Sequence, residues 1–408
     1  MTKTKDATPP SPLAGVRVLD FSRILSGPYA SMILADLGAE VIKIEPLGAG
    51  DETRNFPPFQ GPFSHYYMAL NRNKKSLTLN LKAPRGLEIA KTLSQQSDIV
   101  LENFRAGVMD RLGLGYEALS AENPGLLYCS IVGFGEGSPL SEKPAFDIVA
   151  QALSGAMSVN GEPGSHPSKL GLPAGDMSGS IFSVFGILAA LYERKSTGRG
   201  RRIEIAMLDS LLAMLGYLAQ IYFVTGEAPA PAGNKHPSLV PYGSFPTRDG
   251  HVIVACLTEG FWHNFARCLS RPEWIEDARF AAYSTRLQNR AELDALIEER
   301  MQTESTAYWL ERLSAFDVPN APVLSVAQAL EQEHVAARGL VETVEHPIGG
   351  TMRMVRTPFR FDGEPTAPSR APSLLGEDSV SVLTDHLGMD AEAIETLIAD
   401  GITSGPLR

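Results

Sequence analysis

Asp176 is the residue of this chain whose type and surroundings best suit covalent chemistry. It lies in the stretch GDMSGS (Gly175–Ser180), before an apolar stretch from about Met177 to Lys195 that predicts a long helix. An aspartate there can serve as an N-cap, which accepts hydrogen bonds from the first helical amides and is worth ~1 kcal/mol. A carboxylate at a helix N-terminus also stays ionised, and an ionised carboxylate can act as a covalent nucleophile. The spacing alone leaves both roles open.

A second candidate site is the turn after the first predicted strand. Residues 16–21 (VRVLDF) predict a strand, residues 28–37 a helix and residues 41–45 (VIKIE) a second strand, which together form a βαβ unit. The turn, SRILSGPYAS, has one glycine where a dinucleotide-binding fingerprint needs three, so we expect no nicotinamide cofactor. Amides at this helix N-terminus could still bind the phosphate of another nucleotide.

The rest of the chain continues this pattern and then changes character. Further predicted strands lie at 98–101, 126–132 and 202–206, and helices at 84–96 and 208–224. A proline- and glycine-rich stretch at 226–247 predicts a linker or lid, followed by a hairpin at 250–256 and amphipathic helices to about 315. The sequence therefore predicts an α/β protein with a large Rossmann-like domain and a smaller inserted α+β domain. The predicted boundaries are 1–225 for the first part of the large domain, 226–330 for the small domain with its linkers, and 331–408 for the return to the large domain.

Composition and charge exclude several classes of function. The 408 residues carry a formal net charge of −11, which disfavours nonspecific binding to nucleic acid or to an anionic membrane. The three cysteines, Cys129, Cys256 and Cys268, have no metal-ligand spacing, so no metal site is expected. No stretch reaches ~20 uninterrupted apolar residues, and residues 1–12 lack the apolar core of a signal peptide. We therefore expect a mobile N-terminal tail, no membrane span and a cytoplasmic location.

Several segments in fixed order carry a resemblance to a known family. They are LAGVRVLDFSRILSGPYASMILADLGAEVIKIE (13–45), NRNKKSLTLNLK (71–82), ENFRAGVMDRLGLGYE (102–117), FDIVAQALSG (146–155), GDMSGS (175–180), TGRGRRIEIAMLDS (197–210) and APSLLGED (371–378). In these segments the chain resembles the class III CoA-transferases, the formyl-CoA transferase and carnitine CoA-transferase group.

The resemblance implies both an architecture and a mechanism. It implies a homodimer whose subunits interlock like linked rings. It also implies that Asp176 attacks a donor thioester to give a mixed anhydride, which CoA then converts to an aspartyl-CoA thioester. The implied function is transfer of CoA from a donor acyl-CoA, succinyl-CoA or a related dicarboxylyl-CoA, to a carboxylic acid. Coenzyme A is then a substrate, and no tightly bound cofactor is needed.

By the same resemblance, eight residues would contact CoA. As a set they offer cations for its phosphates and an apolar face for its adenine. They are Leu25 and Ser26 in the first turn, Leu79 and Lys82 in the second segment, and Asn103, Phe104, Arg105 and Arg111 in the third. Without the family, Lys82 and Arg111 would be interpreted as surface charges and Phe104 as a core residue.

Two departures from the family pattern concern the acceptor. Formyl-CoA transferases have a glycine run as a mobile lid, whereas this chain has GNKHPSLVPYG (Gly233–Gly243), which is stiffer and carries His236 and Tyr242. This difference disfavours oxalate and favours larger dicarboxylates, and His236 could bind the acceptor carboxylate or be merely solvated. In the first turn Arg23 replaces a histidine; it could pair with a substrate carboxylate or be a surface arginine.

Two alternatives remain at this point. α-Methylacyl-CoA racemases share the fold and use a His-Asp pair together with the aspartate equivalent to Asp176. Here the pair reads Phe146-Asp147, and phenylalanine cannot carry a proton, which disfavours this alternative. A nonenzymatic CoA-binding subunit would leave Asp176 as a cap only.

Overall fold

The computed structural model describes residues 11–405. Residues 1–10 and 406–408 lie outside the described residues, and most of the predicted N-terminal tail falls on the first of these ranges. The chain forms two compact units. The first comprises the residues up to Ala156, residues 169–219 and the residues from His334 onward; the second comprises residues 157–168 and 220–333.

A six-stranded parallel sheet forms the centre of the first unit. Its strands are β1 (Arg17–Asp20), β2 (Glu40–Glu45), β3 (Lys74–Thr78), β4 (Ile99–Glu102), β5 (Leu127–Val132) and β6 (Arg202–Ala206). They lie in the order β3-β2-β1-β4-β5-β6, which is that of a doubly wound Rossmann sheet. The prediction of an α/β fold with a parallel sheet is confirmed.

The helices of the first unit connect these strands and cover the sheet. They are α1 (Ser26–Asp36), α2 (His65–Leu70), α3 (Pro84–Gln95), α4 (Val108–Arg111), α5 (Tyr116–Glu122), α6 (Asp147–Leu153), α7 (Ala174–Thr197) and α8 (Met207–Met214). Helix α9 (Tyr217–Thr225) leads into the second unit. Single 3₁₀ turns occur at Glu52–Asn55 and Ala156–Ser158, and a two-residue strand pair joins Phe59–Gln60 to Phe63–Ser64.

The second unit has its own sheet and core. Strands β7 (Tyr242–Pro246), β8 (His251–Ala255) and β9 (Asn320–Pro322) pair antiparallel in the order β9-β8-β7. Its remaining helices are α10 (Glu259–Cys268), a 3₁₀ turn (Pro272–Ile275), α11 (Tyr283–Gln288), α12 (Arg290–Met301), α13 (Thr306–Ala315) and α14 (Val326–Glu331). Two fully buried tryptophans, Trp262 and Trp309, belong to the core that these elements enclose.

The C-terminal segment begins at Glu333, which belongs to the second unit, and the rest of it belongs to the first unit. After α15 (Glu333–Arg338), β10 (Val341–His346) and β11 (Gly350–Val355) form an antiparallel hairpin, and Arg360–Phe361 pairs with Glu364–Pro365. Helices α16 (Ser379–Leu387) and α17 (Ala391–Ala399) end the fold.

The sheet is buried on both faces because its strand residues alternate between two cores. Leu19, Val100 and their neighbours pack with α3, α16 and α17 on one face. Val18, Ile99 and their neighbours pack with α1 and α7 on the other. By length and composition, helix α7 could cross a bilayer, and so could α8 and α9 if they were one bent span. However, 44% of the most apolar 18-residue stretch of α7 is buried inside the fold.

Some elements differ from the sequence-based expectation. Strand β7 (Tyr242–Pro246) lies within the stretch 226–247 predicted as a linker or lid, and it forms with β8 the hairpin that was predicted at 250–256. Strand β3 was not predicted because it begins with two lysines; Lys74 is nevertheless buried, since its ammonium donates to the carbonyl of Pro28 at 2.8 Å and lies 3.4 Å from Asp20. The single helix predicted at 208–224 is wrong. It breaks at Gly216, whose φ of +53° lies in the left-handed region, so α8 and α9 meet at 71°.

Replacing Gly200 by alanine should destabilise the sheet edge at β6. A Cβ there would lie 1.8 Å from the carbonyl oxygen of Leu126, which is backbone and cannot move aside cheaply. We expect a loss of ~1–3 kcal/mol in the free energy of unfolding, measured by urea denaturation. Gly171→Ala is the matched control, because its Cβ would have no described atom within 4 Å. Equal stability of the two variants would contradict this packing.

Candidate active site

Asp176 does not cap helix α7, contrary to the cap role considered from the sequence. The helix begins at Ala174 with Pro173 before it, so Asp176 is its third residue. The capping carboxylate comes from Asp147 on α6. Its Oδ1 accepts the amide of Gly175 at 2.7 Å and the amide of Asp176 at 3.4 Å. The first amides of α7 are therefore bound by another side chain, and Asp176 keeps its carboxyl for other contacts.

Asp147 is itself held in place by its own helix. Its Oδ2 accepts a hydrogen bond from Gln151 Nε2 at 2.6 Å, and Gln151 Oε1 accepts the amide of Leu170 at 2.8 Å. The sequence reasoning considered Asp147 only as the partner of Phe146 and missed this role. No local signal reports it, because the amide that Asp147 caps lies 28 residues further along the chain.

The electrostatics of Asp176 also correct the expectation of a fully ionised group. Burial, followed by the negative charge of Asp147, raises the pKa of Asp176 to about 7, although a hydrogen bond from Ser26 acts in the opposite direction. Both protonation states are therefore populated at neutral pH. Burial and the charges of Asp176, Asp147 and Asp51 raise the pKa of Tyr66 to about 12. The Tyr66 phenol is therefore close enough to Asp176 to be affected by its charge, which the sequence did not indicate.

The turn after β1 is tied to Asp176 by hydroxyl and amide groups. The hydroxyl of Ser180 contacts the carbonyl oxygen of Ser26 at 2.5 Å and that of Asp176 at 2.7 Å. The side chain of Asn103 accepts the amide of Arg23 and donates to its carbonyl, both at 2.8 Å, and it also donates to Ser26 Oγ at 3.3 Å. Asn103, predicted as a CoA contact, thus holds the turn that presents Ser26.

A cavity of about 920 Å³ opens beside Asp176. It is lined by Asp176 and by six residues predicted from the sequence as ligand contacts: Arg23, Leu25, Ser26, Asn103, Phe104 and Arg105. Phe146 also lines it, with 66% of its surface exposed. The structure therefore brings the first turn, the segment after β4 and Asp176 to one cavity.

A second cavity, of about 360 Å³, is lined by the predicted residues Leu79 and Lys82. Arg23 and Phe104 line both cavities, and the guanidinium carbon of Arg23 lies 5.2 Å from the centre of the Phe104 ring. Arg23 also pairs with Glu52 at 3.1 Å. Arg111, the remaining predicted CoA contact, is exposed and lines neither cavity.

His236 and Tyr242 belong to the second unit, where their ring centres lie 5.3 Å apart. His236 Nδ1 accepts the amides of Ser238 and Leu239 at 3.0 and 3.1 Å, which places the ring proton on Nε2. Burial and the charge of Arg290 lower the pKa of His236. The direction of this shift favours the neutral form of the imidazole. Within residues 11–405 no group of three or more His, Cys, Asp and Glu side chains is arranged to hold a metal ion.

Comparison with known proteins adds the family context. Residues 13–379 match the family model described as CoA-transferase family III. The chain is 36% identical over 392 residues to the succinyl-CoA:glutarate CoA-transferase of Homo sapiens, covering 96% of this chain and 90% of the human one. It is 38% identical over 377 residues to the acetyl-CoA:oxalate CoA-transferase of Acetobacter aceti, covering 92% and 96%. A CAIB/BAIF family protein of Brucella suis has a similar solved structure, with a TM-score of 0.83 at 35% identity, covering 92% of this chain and all of that one.

Replacing Asp176 by asparagine should stabilise the protein at pH 8.5, with a smaller gain at pH 5. At pH values between the ordinary pKa of 3.8 and the folded value of about 7, the Asp176 carboxyl is ionised in the unfolded chain but protonated in the folded protein. Wild-type stability therefore falls as the pH rises through this window, and the loss is complete above it. Because Asp176 is partly exposed, we expect a gain of ~1–3 kcal/mol at pH 8.5, measured by urea unfolding.

The control for this experiment is Asp385→Asn, which changes an exposed aspartate of α16. It should alter stability equally at both pH values. An Asp176→Asn variant with the same change at pH 5 and pH 8.5 would contradict the raised pKa.

Proposed function

This chain belongs to CoA-transferase family III, and from that premise we propose that it transfers CoA to a carboxylic acid through covalent intermediates on Asp176. The donor in this proposal is succinyl-CoA or a related dicarboxylyl-CoA. The observation that carries the proposal is the position of Asp176 in the wall of the large cavity, together with six residues expected to contact ligand. Free CoA is released and recaptured within each cycle, so the energy of the thioester bond is retained.

The proposed cycle has four transfers. The Asp176 carboxylate attacks the donor thioester carbonyl, which gives an acyl–aspartyl anhydride and expels CoA thiolate. The thiolate attacks the aspartyl carbonyl, which leaves an aspartyl-CoA thioester and releases the donor carboxylate. The acceptor carboxylate attacks this thioester, giving a new anhydride and thiolate. The thiolate finally attacks the acceptor acyl carbonyl, which yields the product acyl-CoA and restores the Asp176 carboxylate.

The surroundings of Asp176 favour this chemistry. A carboxylate with a pKa of about 7 is more basic than an ordinary aspartate and hence a stronger nucleophile, yet it is still ionised in part at neutral pH. The anhydride and thioester forms are uncharged at this position, so burial and the charge of Asp147 disfavour them less than the free carboxylate. The free energy of the enzyme with a free Asp176 carboxylate is thereby raised relative to that of the proposed covalent intermediates.

The substrate class rests on the relatives and on Arg23. The human relative is named for succinyl-CoA and glutarate, and the Acetobacter aceti relative for acetyl-CoA and oxalate. Arg23 lines both cavities and pairs with Glu52, which lines the large one. We propose that Arg23 exchanges this partner for the distal carboxylate of a dicarboxylate. A panel of succinate, glutarate, mesaconate and oxalate as acceptors tests this choice. Phe146, which lines the large cavity, offers no group for the proton transfers of a racemase.

A homodimer of interlocked subunits, with the second unit as the inserted domain, is part of the proposal. Large apolar side chains are exposed on three helices of the first unit, and a second subunit would cover them. They include Ile148 and Leu153 on α6, Phe185 and Tyr192 on α7, and Met214 on α8. We also propose a cytoplasmic location without membrane attachment, since all three cysteines are free thiols, as expected in a reducing compartment.

If the protein is this dimer, light scattering should give twice the chain mass of 44.0 kDa. Dilution should not lower the measured mass, since linked rings cannot separate without unfolding. Mixing two differently tagged preparations should yield no mixed dimer until they are unfolded and refolded together. A monomeric mass at micromolar concentration would contradict the proposal.

Asp176→Ser should fold but lose CoA transfer, by as much as ~10⁶-fold, because a nucleophile is removed. The wild-type protein treated with acyl-CoA alone should gain mass on the peptide containing Asp176, and hydroxylamine should remove the adduct. Asp385→Ser, remote from the cavity, should retain full transfer. A folded Asp176→Ser variant with more than about a tenth of wild-type activity would show that another group does the chemistry.

A further inference from the structure

Both polar backbone atoms of Asp176 are bound by side chains. Its amide donates to Asp147 Oδ1 on α6 at 3.4 Å, and its carbonyl oxygen accepts the hydroxyl of Ser180 at 2.7 Å. Asp147 comes from another helix, whereas Ser180 lies four residues after Asp176 on α7 itself. The peptide that carries the proposed nucleophile is therefore held at both ends.

The hydroxyl of Ser180 also reaches the start of α1. It lies 2.5 Å from the carbonyl oxygen of Ser26, and because a hydroxyl has one proton, Ser180 shares that proton between two carbonyl oxygens. Both carbonyls belong to helices, in which the amide four residues later already binds them. A serine hydroxyl that binds the carbonyl four residues before it does not strengthen a helix. What this hydroxyl adds is a direct connection between the first turn of α7 and the first residue of α1.

The two elements that Ser180 joins contribute different parts of the cavity wall. Leu25 and Ser26, at the start of α1, line the large cavity, as does Asp176 in the first turn of α7. Ser180 is fully buried and is not among the described residues that line either cavity. Its hydroxyl therefore acts on the geometry of the wall and not on a bound ligand.

We propose that Ser180 is a positioning residue for CoA transfer. Its hydroxyl sets the distance between Asp176 and the wall at Leu25 and Ser26, where CoA is expected to bind. The proposal rests on the function proposed above, in which Asp176 is the nucleophile. Ser180 contacts no reacting atom in this scheme.

The turn before α1 is held by other groups as well, which separates binding from chemistry. Lys43 Nζ donates to the carbonyl of Ser22 at 2.8 Å, and the side chain of Asn103 binds the amide and the carbonyl of Arg23. Loss of the Ser180 hydroxyl should therefore leave the turn in place while releasing the first turn of α7 from it. A displacement of ~1 Å from the reactive geometry costs as much as ~100-fold in rate. We expect slower acylation of Asp176 without weaker binding of CoA.

Ser183 provides a matched control on the same helix. Like Ser180 it is fully buried, and its hydroxyl donates to the carbonyl of Gly179, four residues before it, at 2.7 Å. Within the described part of the chain, no hydrogen bond joins Ser183 to the turn after β1. Alanine at either position thus removes a buried hydroxyl and a helical hydrogen bond of the same length, and both variants should lower the melting temperature comparably. Only Ser180→Ala removes the connection to Ser26.

The experiment measures the first chemical step and ligand binding separately. The enzyme in excess is mixed with succinyl-CoA and quenched, and mass spectrometry of the peptide containing Asp176 gives the single-turnover rate of adduct formation. Calorimetry gives the Kd for CoA. We expect Ser180→Ala to form the adduct ~10- to 100-fold more slowly with its Kd for CoA within ~2-fold of wild type, and Ser183→Ala to stay within ~2-fold in both.

Two further variants of Ser180 test the hydroxyl itself. Ser180→Thr keeps the hydroxyl, which in a helix can still bind the carbonyl four residues before it, and should restore the rate to within ~3-fold of wild type. If Ser180→Ala fails to fold, Ser180→Cys takes its place, since a thiol fills a similar volume and is only a weak donor. The cysteine variant should show the same slowing and the same affinity for CoA.

The pH dependence distinguishes positioning from an effect on the ionisation of Asp176. The hydroxyl of Ser180 binds the backbone of Asp176 and not its carboxyl, so the loss in rate should be the same factor at pH 6 and at pH 8.5. A loss confined to one of these pH values would overturn the proposal.

Three other results would also contradict it: a wild-type rate in folded Ser180→Ala, an equal loss in Ser183→Ala, or a folded Ser180→Thr variant that is as slow as Ser180→Ala. Failure of the proposed function would show separately. In that case the wild-type protein would gain no adduct on the peptide containing Asp176, and Asp176→Ser would retain transfer.

Discussion

The burial of Asp176 and the contact between Asp147 and the first amides of α7 together set the electrostatic environment of Asp176. Free amides at a helix N-terminus stabilise negative charge, and left alone they would favour the ionised form of a carboxylate in the first turn. Here Asp147 binds them, so Asp176 gains little from the helix, and burial followed by the charge of Asp147 raises its pKa to about 7. A shift of about three pKa units corresponds to a few kcal/mol. That free energy disfavours the resting carboxylate and not the uncharged acyl forms proposed to follow it.

The sheet order explains why distant segments meet at this point. Strand β1 lies between β2 and β4, and the chain leaves β1 and β4 at the same edge because the two strands are parallel. The turn after β1 and the segment after β4 are therefore neighbours, at the position where the strand order reverses and where doubly wound sheets bind ligands. The reciprocal hydrogen bonds between Arg23 and Asn103 join these two loops directly. The topology thus accounts for the position of the cavity beside Asp176, and these two loops form part of its walls.

The parts of this architecture that depend on local pattern were predictable from the sequence. The strand at Arg202–Ala206 and the helix after Pro84 follow from apolar periodicity and from a proline at a helix start. The capping role of Asp147 was missed because it depends on a neighbour 28 residues away, which no periodicity reports. The raised pKa of Asp176 could not be predicted for the same reason, since burial and a second carboxylate are properties of the assembled fold. Strand β3 was missed because its lysine is buried by partners from other elements.

The hydroxyl of Ser180 joins two peptide groups that lie far apart along the chain, since Ser26 is 154 residues away. Closing so long a loop is entropically costly, and strand pairing elsewhere in the sheet offsets that cost. The hydrogen-bonded surroundings of Asp176 therefore depend on the assembled fold. In an unfolded chain Asp176 has the ordinary carboxyl pKa of 3.8, because neither burial nor the charge of Asp147 acts on it. The raised pKa of Asp176 is thus a property of the folded protein and is absent from the unfolded sequence.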